Sequence, residues 1–262
     1  MLNAAALASL VGSIVVLVLF ATDSRELLGV SVWEKPLKFL ISATFYATTF
    51  SWLYTFVEKG KGLASKMGNV IALMLIVELV VIVGMASVGY TSHFNVSTPF
   101  NIAIWSLMAT AISIVWLATF SLSTGLWNSQ IMSADLRLAV RWSIGLGLAG
   151  MGIAFTMTPP QPQQVLPENW AGIAGAHTVG AADGGPGLPF LGWSTQAGDL
   201  RISHFLGLHA LQVLPLIAVV SSILVTNYFV RRAIIMGAGV AYALLIAFTY
   251  VQALLGETIV QP

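Results

Sequence analysis

The sequence predicts an all-α integral membrane protein built as a bundle of seven transmembrane helices. Of its 262 residues, 57% are hydrophobic and only 8% are charged, whereas soluble domains carry about 25% charged residues. Seven apolar stretches are each long enough to cross the hydrocarbon core, which takes roughly 20 helical residues. Backbone polar groups in lipid must be satisfied within their own segment, so we predict that these stretches are helices.

We interpret the whole chain, residues 1–262, as one membrane domain. The predicted helices cover residues 4–22, 36–57, 68–90, 100–122, 138–157, 203–226 and 233–255. No basic residue precedes the first stretch, which is therefore interpreted as a retained span and not as a signal peptide. A long loop, residues 158–202, joins the fifth and sixth helices. It is rich in proline and glycine but also contains Trp170 and Trp193, which favours a folded lid over a free tether.

Local signals mark several helix starts in chain order. Pro36 and Pro99 suit the first turns of the second and fourth helices, where a missing N–H costs nothing. Asp199 or Ser203 can cap the sixth helix. Pro215 lies farther along that helix and predicts a kink within it.

The positions of lysine and arginine predict the orientation in the membrane. Seven of them fall in the connections on one side and four on the other. The first set is Lys59, Lys61, Lys66, Arg137, Arg141, Arg231 and Arg232, and the second is Arg25, Lys35, Lys38 and Arg201. This excess predicts a cytoplasmic N-terminus, an extracytoplasmic C-terminus and an extracytoplasmic lid. We expect a multi-pass protein of the bacterial cytoplasmic membrane, with the lipid bilayer as its first partner.

Several classes of function are excluded by composition and motif. The net charge of +1, without a basic cluster, argues against nucleic acid as a partner. The absence of cysteine excludes disulfides, iron–sulfur clusters and thiol catalysis. No nucleophile elbow precedes a helix, and Ser92 is not expected to place its hydroxyl usefully against the ring of the adjacent His93. No motif ties the chain to a family of known activity.

All four histidines fall on the predicted extracytoplasmic side: His93, His177, His204 and His209. We interpret His93, His204 and His209 as candidate metal ligands. His204 and His209 are five residues apart on the sixth helix, so they point about 140° apart and do not form a two-ligand site on one face.

Three interpretations of these histidines remain open. In the first, His93 and one histidine of the sixth helix bind haem b as axial ligands. In the second, the imidazoles and a carboxylate form a zinc, iron or copper site of a membrane enzyme. In the third, the histidines are structural and the protein is a non-catalytic subunit, a transporter or a sensor. The working hypothesis is haem or metal binding for electron transfer or oxidoreduction with a quinone or another membrane redox protein.

Other polar residues near this end support that hypothesis. Glu78 lies at mid-depth in the third helix, where an acid is costly and suggests a function. We take Glu78 and Asp199 as candidate acid–base residues of a membrane oxidoreductase. The candidates for binding a cofactor are Lys35, Lys38, Arg201, Gly89 and Gln212.

These cofactor-binding candidates have different roles. The lysines and the arginine would pair with anionic groups such as haem propionates. Gln212 shares a helix face with His209. Glycine has no Cβ, so Gly84, Gly89 and Gly207 would give a flat cofactor room to approach.

Overall fold

A computed structural model of the chain describes residues 1–166 and 170–259, apart from the side chain of Gln163. The described residues form seven α-helices. They are α1 (Leu2–Thr22), α2 (Glu34–Tyr54), α3 (Lys61–Ser87), α4 (Pro99–Thr124), α5 (Ala134–Ile153), α6 (Leu200–Leu224) and α7 (Tyr228–Leu254). Six of the seven, all but α2, are long and apolar enough to cross a membrane. This helix set is that of a multi-pass membrane protein.

The predicted helices are present, with small differences at their ends. The largest difference is at the start of α3, which begins at Lys61 and not at residue 68. The first two turns of α3 are polar, and a search for apolar stretches does not detect them. The predicted cap of the sixth helix is found as well. The side chain of Asp199 accepts a hydrogen bond from the backbone N–H of Arg201.

The remaining regular structure is short. Two antiparallel two-stranded sheets are present, β1 (Glu26–Leu27) with β2 (Val30–Ser31), and β3 (Thr178–Val179) with β4 (Gly198–Asp199). Two short 3-10 helices cover Ala154–Met157 and Pro162–Val165. In the second sheet Thr178 lies opposite Asp199. This pairing joins the middle of the predicted lid to the residue that caps α6.

The chain divides into two compact units, which we describe separately. Unit 1 comprises residues 1–52, 65–119 and 158–176, and unit 2 comprises residues 53–64, 120–157 and 177–262. The predicted lid, residues 158–202, is therefore divided between the two units. Residues 167–169 of that loop and residues 260–262 at the C-terminus lie outside the described residues.

In unit 1, α2 runs antiparallel to α1 along most of its length. The indole N–H of Trp33 donates to Asp23 Oδ2 at one end, over 2.8 Å, and Ser51 donates to Asn3 at the other. Between these ends, the side chain of Leu40 packs against Gly12. The buried residues of this core are Val16, Val32, Trp33, Leu37, Leu40, Ala43 and Leu79. The hydroxyls of Tyr46 and Thr119 join α2 to α4.

In unit 2, α5 and α6 cross at a pair of glycines. A Cβ on Gly150 would lie only 2.5 Å from the Cα of Gly207, so the two backbones meet without side chains between them. The buried core beside this crossing consists of Ala139, Ala210, Leu214, Ala218 and Ile235. Farther along, Pro215 lies inside α6, which runs uninterrupted to Leu224. At the other end of the unit, Arg231 Nε donates to Asp135 Oδ2 over 2.6 Å.

Candidate functional site

His204 lies in the second turn of α6 and is held by a carbonyl of α5. Its Nδ1 is 2.7 Å from the backbone oxygen of Gly150. That oxygen is available because α5 tightens at its end, where the N–H of Ala154 donates to Met151 and Gly152. A carbonyl only accepts, so the neutral ring carries its proton on Nδ1 and its electron pair on Nε2. Metal-binding histidines are commonly oriented in this way.

His177 lies beside β3 and is held by a carboxylate. Its Nδ1 is 2.6 Å from Asp183 Oδ2, and Asp183 also accepts from the backbone N–H groups of His177 and Thr178. The Thr178 hydroxyl donates to Asp183 as well. Burial alone would raise the pKa of Asp183, but these hydrogen bonds hold that pKa well below its usual range. Asp183 therefore stays ionised and fixes the orientation of the imidazole.

Three of the four histidines gather near the start of α6 in unit 2. The backbone oxygen of His177 accepts from the N–H of Leu200, the first residue of α6, over 3.0 Å. The ring of His209 lies tilted beside that of Phe205, with 4.2 Å between the ring centroids, and Phe205 contacts Trp193 at 5.5 Å. The predicted cofactor residue Gln212 interacts with His209 through its side chain. Two imidazoles with fixed Nδ1 atoms and one beside an aromatic ring thus form the candidate site.

His204 and His209 were expected as metal ligands from sequence, whereas His177 was not. His177 lies in the loop, where no helical period predicts which side chains meet. A signal was nevertheless present, because an aspartate in a glycine-rich turn commonly accepts nearby N–H groups. Asp183 stands in such a turn, six residues after His177.

Asp199 and Arg201, two of the residues predicted for the site, contact each other and the backbone of the loop. Asp199 is 3% exposed and accepts from the backbone N–H of Ser194 at 2.8 Å. Its carboxylate forms an ion pair with Arg201 at 2.6 Å, and Arg201 also donates to the backbone oxygen of Gly192. These contacts fasten the end of the loop to the start of α6. Their proposed roles, acid–base chemistry for Asp199 and propionate binding for Arg201, stay predictions.

In unit 1, His93 lies among aromatic side chains. Its ring centroid is 5.7 Å from that of Phe39 and 5.4 Å from that of Trp105. The Ser92 hydroxyl lies 3.0 Å from Nδ1 of the neighbouring ring. That this hydroxyl has no nucleophilic role stays a prediction.

Two further predicted residues, Glu78 and Lys35, also lie in unit 1. Glu78 is 6% exposed, and its Oε1 has no hydrogen-bond partner in the described part of the chain. The cation with an electrostatic effect on Glu78 is Lys35, whose ammonium lies 5.9 Å from the ring of Phe39. Lys38 is instead paired with Glu34 at 2.8 Å. Lys35 and His93 thus both lie beside Phe39 in unit 1.

The expected roles of the glycines are revised in part. Gly207 was expected to make room for a cofactor, but the backbone of Gly150 occupies that space, so this expectation is wrong. Gly89 ends α3 with a positive φ of 78°, a conformation that itself favours glycine. Added Cβ atoms at Gly84 and Gly89 would meet nothing within 4 Å. These two positions remain compatible with a close ligand.

A haem or metal site shared by His93 and a histidine of α6 would need residues from both units, so His93 stays a prediction as a ligand. Within residues 1–166 and 170–259, no group of three or more histidine or carboxylate side chains is arranged to hold a metal ion. No protein-family model, curated protein or solved structure matches this chain.

Proposed function

We propose that this chain is an integral membrane protein that binds haem b at the start of α6 and passes electrons to or from a quinone or another membrane redox protein. The observation that best supports this proposal is the hydrogen bond from His204 Nδ1 to the Gly150 carbonyl. It fixes the ring and leaves the Nε2 electron pair as the ligating one, as an axial ligand requires. In this proposal His204 is the first ligand.

A second residue of unit 2 would help to hold the haem, and there are two candidates. His177 is held at Nδ1 by Asp183, and a carboxylate in that place makes the imidazole a better donor. His209 lies on the same helix as His204 but about 140° round it. We therefore favour His177 over His209. His93 of unit 1, the ligand first expected from sequence, is kept as the alternative.

A haem agrees better with the described side chains than a bare metal does. A zinc, iron or copper site usually takes three or four protein ligands, and the described residues include no such group. Haem iron needs only one or two axial ligands from the protein. The aromatic residues Phe205 and Trp193 beside His209 would give a porphyrin ring an apolar surface to pack on.

A metal-dependent membrane enzyme is the second candidate. It is favoured by the pair formed by His177 and Asp183, since a carboxylate behind a histidine is typical of zinc sites. It would need a further ligand from outside the group described above. A non-catalytic subunit, transporter or sensor with structural histidines is the remaining alternative.

We also infer that α2 is a seventh span. Its hydropathy is lower than that of the other six helices, but it lies beside α1 from Trp33 to Ser51 with contacts at both ends. A helix that lies beside a membrane-spanning helix along most of its length crosses the same thickness of bilayer. Two of its threonines satisfy their hydroxyls within the helix, since Thr44 donates to the backbone oxygen of Leu40 and Thr49 to that of Phe45. Seven spans with the excess of basic residues in the cytoplasm place the histidine end outside.

The proposal is tested by the visible spectrum of the protein purified in detergent. We expect a Soret band that shifts on reduction, and elemental analysis should give iron in a fixed ratio to protein. His204→Ala should abolish the band, and His177→Ala should change it from a six-coordinate to a five-coordinate form. His93→Ala, in unit 1, is the matched control and should keep the band.

Other outcomes identify the alternatives. A flat spectrum with stoichiometric zinc or copper would support the metal-dependent enzyme. A flat spectrum with no metal, even after haem is added to the purified protein, would reject the proposal. Loss of the Soret band in His93→Ala would mean that His93 is a haem ligand.

A further inference from the structure

A groove runs along α5 in unit 2, in the first half of that helix and apart from the histidines. Its volume is about 270 Å³, and it is shallow and open on one side. The lining residues are Trp127, Leu138, Arg141, Trp142, Gly145 and Leu146. Those of α5 are spaced three and four residues apart and so share one face of the helix. Trp127 comes from the turn before α5.

The walls of this groove are held in place by the rest of unit 2. Trp142 packs on α7 at Gly239, where an added Cβ would lie 2.6 Å from the indole. Its N–H points to the sulfur of Met236 at 3.4 Å. On the other wall, the guanidinium of Arg141 lies 5.5 Å from the centre of the Trp127 ring, and its Nε donates to the Trp127 carbonyl. The groove is therefore preformed.

Arg141 lies at the groove without a counter-ion. Its Nε and Nη2 donate to the Trp127 carbonyl and the Asn128 side chain. Its Nη1 donates to no group in the described ranges, and no carboxylate there forms an ion pair with it. Arg137, one turn earlier, donates only to Ser129 and Gln130. Positive charge thus stands uncompensated beside an apolar channel.

We propose that this groove binds one anionic phospholipid of the surrounding bilayer. The phosphate accepts from the guanidinium of Arg141, which suits phosphate by its geometry and charge. One acyl chain lies over Gly145, between the two indoles. Tryptophan is typical of the level where headgroups meet hydrocarbon, and basic residues at that level attract anionic lipids.

The groove fits a lipid better than a neutral redox ligand. Its volume is just below the range of about 300–1,000 Å³ for small-molecule sites, which suits a length of chain and not a whole ring system. A neutral quinone would leave the charge of Arg141 uncompensated. The proposal does not depend on the histidine site, because none of the lining residues belongs to it.

Native mass spectrometry of the purified full-length chain, with phosphatidylglycerol or phosphatidylcholine added at equal concentration, tests the proposal. We expect one phosphatidylglycerol molecule per chain, retained at higher collision energy than phosphatidylcholine. Arg141→Gln removes the guanidinium and should weaken this binding about tenfold or more. Gly145→Leu should fill the groove and displace the lipid by a similar factor.

The control is Gly237→Leu on α7. Added Cβ atoms at Gly145 and Gly237 both meet nothing within 4 Å, so both variants are expected to fold, but only the first enters the groove. Equal retention of the two lipids by the wild type would overturn the proposal, as would unchanged phosphatidylglycerol binding in Gly145→Leu. Brominated phosphatidylglycerol in vesicles gives a second measurement, since it should quench tryptophan fluorescence less in Gly145→Leu than in Gly237→Leu.

Discussion

At the scale of single residues, the orientation of His204 depends on an atom that its own helix does not contain. The accepting carbonyl belongs to Gly150, and it is accessible because Gly150 and Gly207 carry no side chains where α5 and α6 cross. Sequence pointed to His204 through its position at a helix start. It did not point to Gly150, since nothing in a one-dimensional pattern shows which glycine of one helix meets which glycine of another.

The first prediction concerns this glycine pair. Gly150→Ala puts a methyl group 2.5 Å from the Gly207 backbone, and such overpacking should lower the free energy of unfolding by about 1–3 kcal/mol. Gly152→Ala is the control on the same helix, because its Cβ would meet nothing within 4 Å. Thermal unfolding in detergent measures both. Equal midpoints for the two variants would contradict the crossing described here.

The second prediction concerns Asp183 and pH. Its folded-state pKa is depressed, so its stabilising effect is complete above the unfolded-state pKa of about 3.9 and is lost as pH falls below that value. Asp183→Asn should lower the unfolding midpoint at pH 7 and should flatten the loss of stability below about pH 4. Thermal unfolding at pH 7 and at a series of acidic pH values checks both effects. A variant that keeps the full acid dependence of the wild type would show that other carboxylates carry it.

At the scale of elements, apolar length and local capping were enough to locate all seven helices. The error was largest where polar residues begin a helix, as at Lys61 of α3. The loop was predicted less well. Its proline and glycine content indicated an irregular course, but the sheet of β3 and β4 is only two residues long on each strand. A pairing that short has no periodicity to detect.

The third prediction concerns the ion pair between α5 and α7. Arg231 Nε lies 2.6 Å from Asp135, whose side chain is 7% exposed, and Arg231 also donates to the carbonyls of Val225 and Thr226. Arg231→Gln leaves the carboxylate unpaired and should cost about 3–5 kcal/mol of unfolding free energy. The double variant with Asp135→Asn should cost less than Arg231→Gln alone. Additive losses would mean that the two side chains are not coupled.

At the scale of the whole molecule, composition was sufficient to assign the chain to the membrane. The division into two units was not predictable, since the chain enters each of them more than once. The site expected from sequence joined His93, which follows α3, with a histidine of α6. These residues lie in different units, so the shared site stays a prediction.

The fourth prediction tests the number of spans and their direction. The chain has no cysteine, so a single introduced thiol reports one position. If α2 crosses the bilayer, Ser24→Cys should react with a membrane-impermeant maleimide in intact cells, and Lys59→Cys should react only after permeabilisation. Both positions are exposed. Labelling of both in intact cells would remove α2 from the spans, and the reverse pattern would keep seven spans but invert them.

The contact between Gly150 and Gly207 also limits how this protein can diverge. Any descendant with a larger residue at either position must move α5 and α6 apart, and the reach from His204 to the carbonyl of α5 lengthens with them. We therefore expect homologues that lack Gly150 or Gly207 to lack the histidine that matches His204 as well. A homologue with alanine at one of these sites and a histidine still matching His204 would be the natural variant in which to look for a ring that has changed its tautomer.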